Sequence, residues 1–241
     1  MPTLFDFKGK VALVTGVGRA GQIGRAVALA FGRAGAKIVS TDRNAVGLAE
    51  RVKEFAAEGI DVRPSAGDLT EPDIAALAVE TAVKHFGRLD TVINVAGGLT
   101  TYGPVAQSGP DAFDREIAIN LKTAYLVSRA AVEALAATKG SIVNFASVAY
   151  YRPLPNLAVY SAAKAGVAGL TQSLAWELQD RGIRVNAVAP SMVRTTQNVA
   201  EVGANARYVE PDQICNAVLF LASEAASGIT GHILPVTNAA I

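Results

Sequence analysis

Five residues, "YSAAK" at 160–164, hold one tyrosine and one lysine with only Ser161, Ala162 and Ala163 between them. On a helix, positions i and i+4 share one face, so Tyr160 and Lys164 lie one turn apart. A free tyrosine has a pKa of about 10, too high for an efficient base at neutral pH. A nearby ammonium favours the phenolate and lowers that value. The small residues between them let ligands come close. The pair therefore reads as a general acid/base that moves a proton on or off an alcohol or carbonyl oxygen.

Two further polar residues fit such chemistry. Ser147 ends the apolar stretch "GSIVNFAS" (140–147), and its hydroxyl can both donate to and accept from a substrate oxygen. Alone, a serine at a strand end is more often a cap or turn residue. Asn120, in "AINLKTAY", is an uncharged polar residue inside an apolar helical pattern, which alone is a satisfied core amide.

A redox partner is suggested further upstream. "VTGVGRAGQIGRAVALAFGRAG" sets Gly16, Gly18, Gly21 and Gly24 between a strand and a helix, with Ile23 a further cofactor-binding candidate. Glycines let the backbone come close to a pyrophosphate, and the helix start aims free N–H groups at it. Asp42 ends the next strand, 18 residues after Gly24, where a carboxylate accepts hydrogen bonds from a ribose. That carboxylate repels a 2′-phosphate, so NAD(H) is favoured; Arg19 and Arg43 could pair with such a phosphate, so NADP(H) stays open. The dinucleotide carries the hydride and the protein handles the proton.

The elements that must position these groups alternate along the chain. Strands are expected at 11–14, 37–42, 60–65, 89–94, 140–147, 183–189 and 232–236. Helices are expected at 24–34, 45–57, 72–86, 111–137, 157–180 and 211–223. Such alternation means a parallel sheet covered on both faces, a doubly wound Rossmann-type α/β fold. No linker splits it, so residues 1–241 are read as one domain. Gly166 and Gly169 fall inside a predicted helix, where glycine costs up to about 1 kcal/mol against alanine. Close packing, at a subunit interface or within the chain, would compensate.

Composition excludes several classes. The chain has 241 residues, 51% hydrophobic and 18% charged, with a formal net charge of +1. No Lys/Arg-rich run is present, which argues against nucleic acid or an anionic membrane as partner. No apolar run approaches the roughly 20 residues of a membrane span. The single cysteine, Cys215, cannot form an internal disulfide, and the start "MPTLFDFKGK" lacks a secretion-signal layout. A cytoplasmic protein is expected. His85 and His232 have no partners at metal-ligand spacing, so no metal is expected. Ser147 lacks a G-x-S-x-G elbow, which weakens a hydrolase reading.

The glycine loop, "NVAG" (94–97), Asn120, Ser147 and the Tyr160/Lys164 pair, in this order, resemble the short-chain dehydrogenase/reductase family. The likeness runs from about Lys8 to the final strand. It implies a seven-stranded parallel sheet and a catalytic tetrad of Asn120, Ser147, Tyr160 and Lys164, in which Asn120 holds a water of the proton path. It implies that Asp68 contacts the adenine with Leu69 beside it. Asn94, Ala96 and Gly97 would line the cofactor site, and Pro190, Val193 and Thr195 would lie beside the nicotinamide. Tyr160 and Lys164 would touch the cofactor as well. Many relatives are tetramers, so a homotetramer or homodimer through helices 111–137 and 157–180 is implied.

Four features depart from that pattern. The loop "TGVGRAGQIG" is two residues longer than usual, Val95 replaces an asparagine, Ser191 follows Pro190 in place of glycine, and the chain ends in "PVTNAAI". Selectivity for a small-molecule alcohol or ketone is expected from 98–110, 148–158 and 191–210. Tyr102, Tyr150, Tyr151, Leu154 and Met192 are candidates there, each with loop packing as the plain alternative, alongside Ser147. Arg152 is read as solvated. The alternatives carried forward are an NADPH-dependent 3-oxoacyl reductase and a catalytically silent NAD(H)-binding regulator. A dehalogenating relative should carry arginine where Lys164 stands.

Overall fold

Seven short strands lie side by side because each hands the chain to a helix that returns it across a sheet face. The computed structural model describes residues 5–238. Its elements run β1 (Val11–Thr15), α1 (Ile23–Arg33), β2 (Lys37–Asp42), α2 (Ala45–Ala57), β3 (Val62–Ala66), α3 (Pro72–Phe86), β4 (Thr91–Asn94), α4 (Pro110–Ile117), α5 (Thr123–Thr138), β5 (Ser141–Phe145), α6 (Ala158–Leu178), β6 (Arg184–Pro190), α7 (Thr196–Val202), α8 (Pro211–Ala222) and β7 (Ile233–Val236). All pairings are parallel, in the order β3-β2-β1-β4-β5-β6-β7.

The order reverses between β1 and β4, and a parallel sheet opens a crevice at such a point, outside the strands' carboxyl ends. One face is covered by α1, α2 and α8 around Phe31, Leu48, Phe55 and Val218. The other is covered by α3, α5 and α6 around Ala78, Leu135 and Leu178.

Several expected bounds move, each for a visible reason. The third strand begins at Val62, and its Pro64 is tolerated because β3 is a sheet edge. The fourth begins at Thr91; Asp90, just before it, accepts from the Val11 N–H at 2.9 Å and so fixes the entry beside β1. The pattern at 111–137 is not one regular helix. A wider π turn over Ala118–Lys122 separates α4 from α5, and Asn120 sits in it. Such turns insert one residue and re-aim the side chains around it. Helix α7 was not expected at all; Thr195 caps it by accepting from the Asn198 N–H at 3.1 Å. The expected single domain holds over the described residues; residues 1–4 and the C-terminal end of "PVTNAAI" lie outside them.

Candidate active site

The helix bearing Tyr160 and Lys164 is pinned to the sheet by buried polar contacts. Asn94, at the end of β4, donates to Asn144 Oδ1 on β5 (2.8 Å) and to Ser128 Oγ on α5 (3.0 Å). Asn144 in turn donates to Thr171 Oγ1 on α6 (3.0 Å). Asn94 was expected at the cofactor site. Its side chain instead faces the core, where an amide must find partners.

Ser147 follows β5, and its Oγ accepts from the Ala149 N–H at 3.2 Å. The Tyr160 hydroxyl lies near enough to Ser147 for that side chain to favour its ionised form. Lys164, 5% exposed, donates from Nζ to the Phe145 carbonyl at 2.8 Å, and its ammonium lies 5.7 Å from the centre of the Tyr160 ring. Three of the four expected catalytic residues thus surround one point at the sheet's carboxyl edge.

Their electrostatics differ from the simple expectation that lysine depresses the tyrosine. Burial pushes the Tyr160 hydroxyl above its ordinary value; the nearby Ser147 opposes that shift, and the Glu116 carboxylate adds to it. Burial also pulls the Lys164 ammonium down to about 8, with Glu116 pulling the other way. The protein's own side chains therefore favour a neutral phenol, ready to donate.

Asn120 is 2% exposed and clamps a loop. Its Nδ2 donates to Gly98 O (3.0 Å), Glu116 O (3.0 Å) and Glu116 Oε1 (3.1 Å), and its Oδ1 accepts from the Gly98 N–H (3.0 Å). Gly97 has a φ of +139°, and a Cβ there would meet Asn120 Oδ1 at 2.5 Å. Glu116 was not singled out by sequence reasoning. The available signal was a charged residue four positions before Asn120, one helical turn away.

These groups open onto a cleft of about 590 Å³ that runs along the strand ends. Gly16, Ile23, Asp42 and Arg43 line it from the first βαβ unit, with Arg19 beside them. Asp68, Leu69, Ala96 and Gly97 line its middle, and Pro190, Val193 and Thr195 the far side of Ser147, Tyr160 and Lys164. The Thr70 backbone N–H holds the Asp68 carboxyl below its usual range, and Arg43 contributes to that shift.

The cleft suits a dinucleotide. A Cβ on Gly24 would come within 2.1 Å of Gly16 O, so helix and strand meet where only glycine fits. Helix α1 opens onto the cleft without a side-chain cap, leaving first-turn N–H groups for an anion. The Asp42 carboxylate is fixed by the N–H groups of Gly18 (2.8 Å) and Asn44 (2.8 Å).

Other expected residues fall elsewhere. Gly18 and Gly21 lie outside the cleft lining. Gly18 supports Asp42, and Gly21 O accepts from the Thr196 N–H at 3.1 Å, tying the lengthened loop to α7. Of the substrate candidates, Tyr102 lines the cleft with Ser147, while Tyr150, Tyr151, Leu154 and Met192 do not. Tyr150 packs on the cluster of Ala146 and Val167, and its ring meets that of Tyr151 edge-on at 4.8 Å. Leu154 and Met192 face solvent, 67% and 42% exposed. Gly166 is explained within the chain, since a Cβ there would strike Leu121 Cδ2 at 2.7 Å; Gly169 faces open space.

Comparison with known proteins gives a consistent picture. A family model described as enoyl-(acyl carrier protein) reductase matches residues 16–238. The 3-oxoacyl-[acyl-carrier-protein] reductase FabG of Thermotoga maritima is 35% identical over 95% of this chain and 96% of its own. A short-chain type dehydrogenase/reductase from Mycobacterium ulcerans has a TM-score of 0.91 at 31% identity, covering 97% of this chain and 90% of that one. A 7α-hydroxysteroid dehydrogenase, solved with NADH and 7-oxo glycochenodeoxycholic acid, has a TM-score of 0.91 at 27% identity, covering 98% and 96%.

Proposed function

This chain belongs to the short-chain dehydrogenase/reductase family and is an oxidoreductase, and from that premise we propose that it interconverts an alcohol and a ketone with NAD(H) preferred. The observation that carries this reading is the convergence of Ser147, Tyr160 and Lys164 at one end of a cleft that reaches Asp42.

When bound, the nicotinamide supplies or accepts the hydride and, oxidised, brings a positive charge. Tyr160 gives its proton to the carbonyl oxygen in reduction and takes it back in oxidation. Ser147 donates to the same oxygen and orients it. Lys164 carries three donors; Phe145 O takes one, and the others would be free for Tyr160 and the nicotinamide ribose. Asn120 holds the Gly97–Gly98 backbone and supports the proton path. Among the residues lining the cleft, Asp42 would accept from the adenosine ribose, Asp68 and Leu69 would flank the adenine, and Ala96, Gly97, Pro190, Val193 and Thr195 would hold the rest.

NAD(H) preference rests on Asp42, whose carboxylate two backbone donors hold at the end of β2. Arg43, next to Asp42 on the cleft wall, pulls the other way, since it could pair with a 2′-phosphate. The runner-up is an NADPH-dependent 3-oxoacyl reductase, favoured by Arg19 on the cleft wall and by the likeness to the 3-oxoacyl reductase of T. maritima. The silent-regulator reading is disfavoured by the complete set of Asn120, Ser147, Tyr160 and Lys164.

Tyr102, Leu99 and Val193 make the substrate end partly apolar, which suits a small or cyclic alcohol. Among the described residues no helix is long and apolar enough to cross a membrane, and none form a metal-binding cluster. Phe113 and Tyr125, exposed along α4 and α5, and Trp176, 75% exposed on α6, supply the surface for a homodimer or homotetramer. One buried cysteine fits a reducing, cytoplasmic setting.

The test is oxidation or reduction of a panel of cyclic ketones, small diols and 3-oxoacyl thioesters with each cofactor. Turnover with NAD(H) in the first two groups is expected. NADPH-linked reduction of the thioesters alone would favour the runner-up, and cofactor binding without any turnover the regulator.

A further inference from the structure

Glu116, at the last turn of α4, has no solvent exposure. The other buried carboxylate among the described residues, Asp90, is paired with Lys10 (3.5 Å) and Arg88 (2.6 Å). Glu116 has no cation within salt-bridge distance among those residues. A buried, unpaired carboxylate is costly unless hydrogen bonds hold it. Thr100 supplies two, from its N–H (3.0 Å to Oε2) and its hydroxyl, and Asn120 Nδ2 a third (3.1 Å). Hydrophobic packing would fill the same space at lower cost, so the charge itself calls for a use.

Its neighbours point to that use. Through Asn120 and Thr100 the carboxylate joins the π turn to both ends of the segment Gly98–Thr100, which lines the cleft beside Tyr102. Helix α4 also packs against α6, the helix that carries the reacting pair. Tyr160 meets Ser147 from the β5 loop, and Lys164 meets the Phe145 carbonyl from β5. Glu116, reaching in from α4, is the one charged side chain whose field is seen at both.

We propose that Glu116 is a positioning residue for the catalytic group: it fixes Asn120 and Thr100 and acts as the buried counter-charge of Lys164. This rests on the functional reading above. The negative charge keeps the ammonium of Lys164 protonated against the pull of burial, and it delays ionisation of Tyr160 until oxidised nicotinamide adds positive charge. Removing it shifts both titrations to lower pH, because the phenolate is then favoured and the ammonium disfavoured.

The test needs no turnover. Phenolate absorbance is titrated in the unliganded protein, and Tyr160→Phe is subtracted to isolate Tyr160. Glu116→Gln and Glu116→Ser are compared with the unchanged protein; the serine relieves any clash of a glutamine amide with Asn120 Nδ2. Either variant that binds NADH and melts cooperatively serves. The Tyr160 midpoint is expected to move to lower pH, and both limbs of the kcat/KM profile with it, while kcat/KM at its optimum falls about tenfold from the loosened Thr100 contact. Glu116→Asp, which keeps the charge, should leave the midpoint in place.

An unmoved midpoint in Glu116→Gln or Glu116→Ser overturns the proposal. So does failure of both to fold, which would make Glu116 a folding determinant only. The functional reading fails separately, by an active Tyr160→Phe.

Discussion

The Lys164 ammonium donates to the carbonyl oxygen of Phe145 across 2.8 Å, binding the middle of α6 to the carboxyl end of β5. One hydrogen bond thus sets the lysine's height relative to Ser147, two residues beyond Phe145. The contact is buried, which is why the ammonium is pulled down to about 8.

That shift has a stability signature. The unfolded lysine titrates at about 10.4. Between about 8 and that value the unfolded chain binds one more proton than the native one, so stability from this group rises with pH. Below about 8 both states are protonated and the contribution is flat. Urea unfolding of the protein and of Lys164→Met across this range should diverge as pH rises, with the unchanged protein gaining. Parallel curves would mean that Lys164 is not held in a dry site.

Asp42 makes a second prediction. Its carboxylate accepts from Gly18 and Asn44, so its removal loosens the glycine loop as well as the ribose contact. Asp42→Ala should weaken NADH binding by about ten- to a hundredfold, as the loss of a charge-assisted hydrogen bond of roughly 1.5–3 kcal/mol implies. NADPH binding should improve, because the repulsion at the 2′-phosphate is gone. Fluorescence titration with each cofactor decides it; an NADPH affinity that does not rise removes Asp42 as the selector.

Gly21 makes a third. Its φ is +66°, and a Cβ there would lie 1.9 Å from Thr196 Oγ1. Gly21→Ala should lower the melting temperature through two causes, the left-handed backbone, costing roughly 1–2 kcal/mol, and the collision. Thr196→Ala in the same chain should restore only the second part. Equal melting temperatures for Gly21→Ala and the unchanged protein would mean that the loop does not dock on α7.

Much of this was legible because local patterns and global fold agree. The helices at 45–57 and 72–86 keep their expected bounds in α2 and α3, since each has a clear start signal: Asn44 caps one and Pro72 opens the other. The grouping of Ser147, Tyr160 and Lys164 follows from strand ends and helix spacing. What was hidden depends on distant partners. A one-residue π insertion at Asn120 leaves the apolar period of its helix almost unchanged. Glu116 resembles a solvated helix residue until Thr100 closes over it. Asn94 looks like a site residue, and only Ser128 and Asn144 reveal its place in the core. The seven residues of α7 are too few and too polar to announce a helix.

The most direct test of the account is turnover of Tyr160→Phe with the best alcohol of the panel, measured beside an NADH titration. The account predicts at least a roughly 100-fold loss of kcat, as expected for removal of a general acid/base, with NADH binding retained because the substitution takes only one hydroxyl from the cleft wall. A variant that turns over at near the original rate would contradict it, and the proton would have to travel through another group.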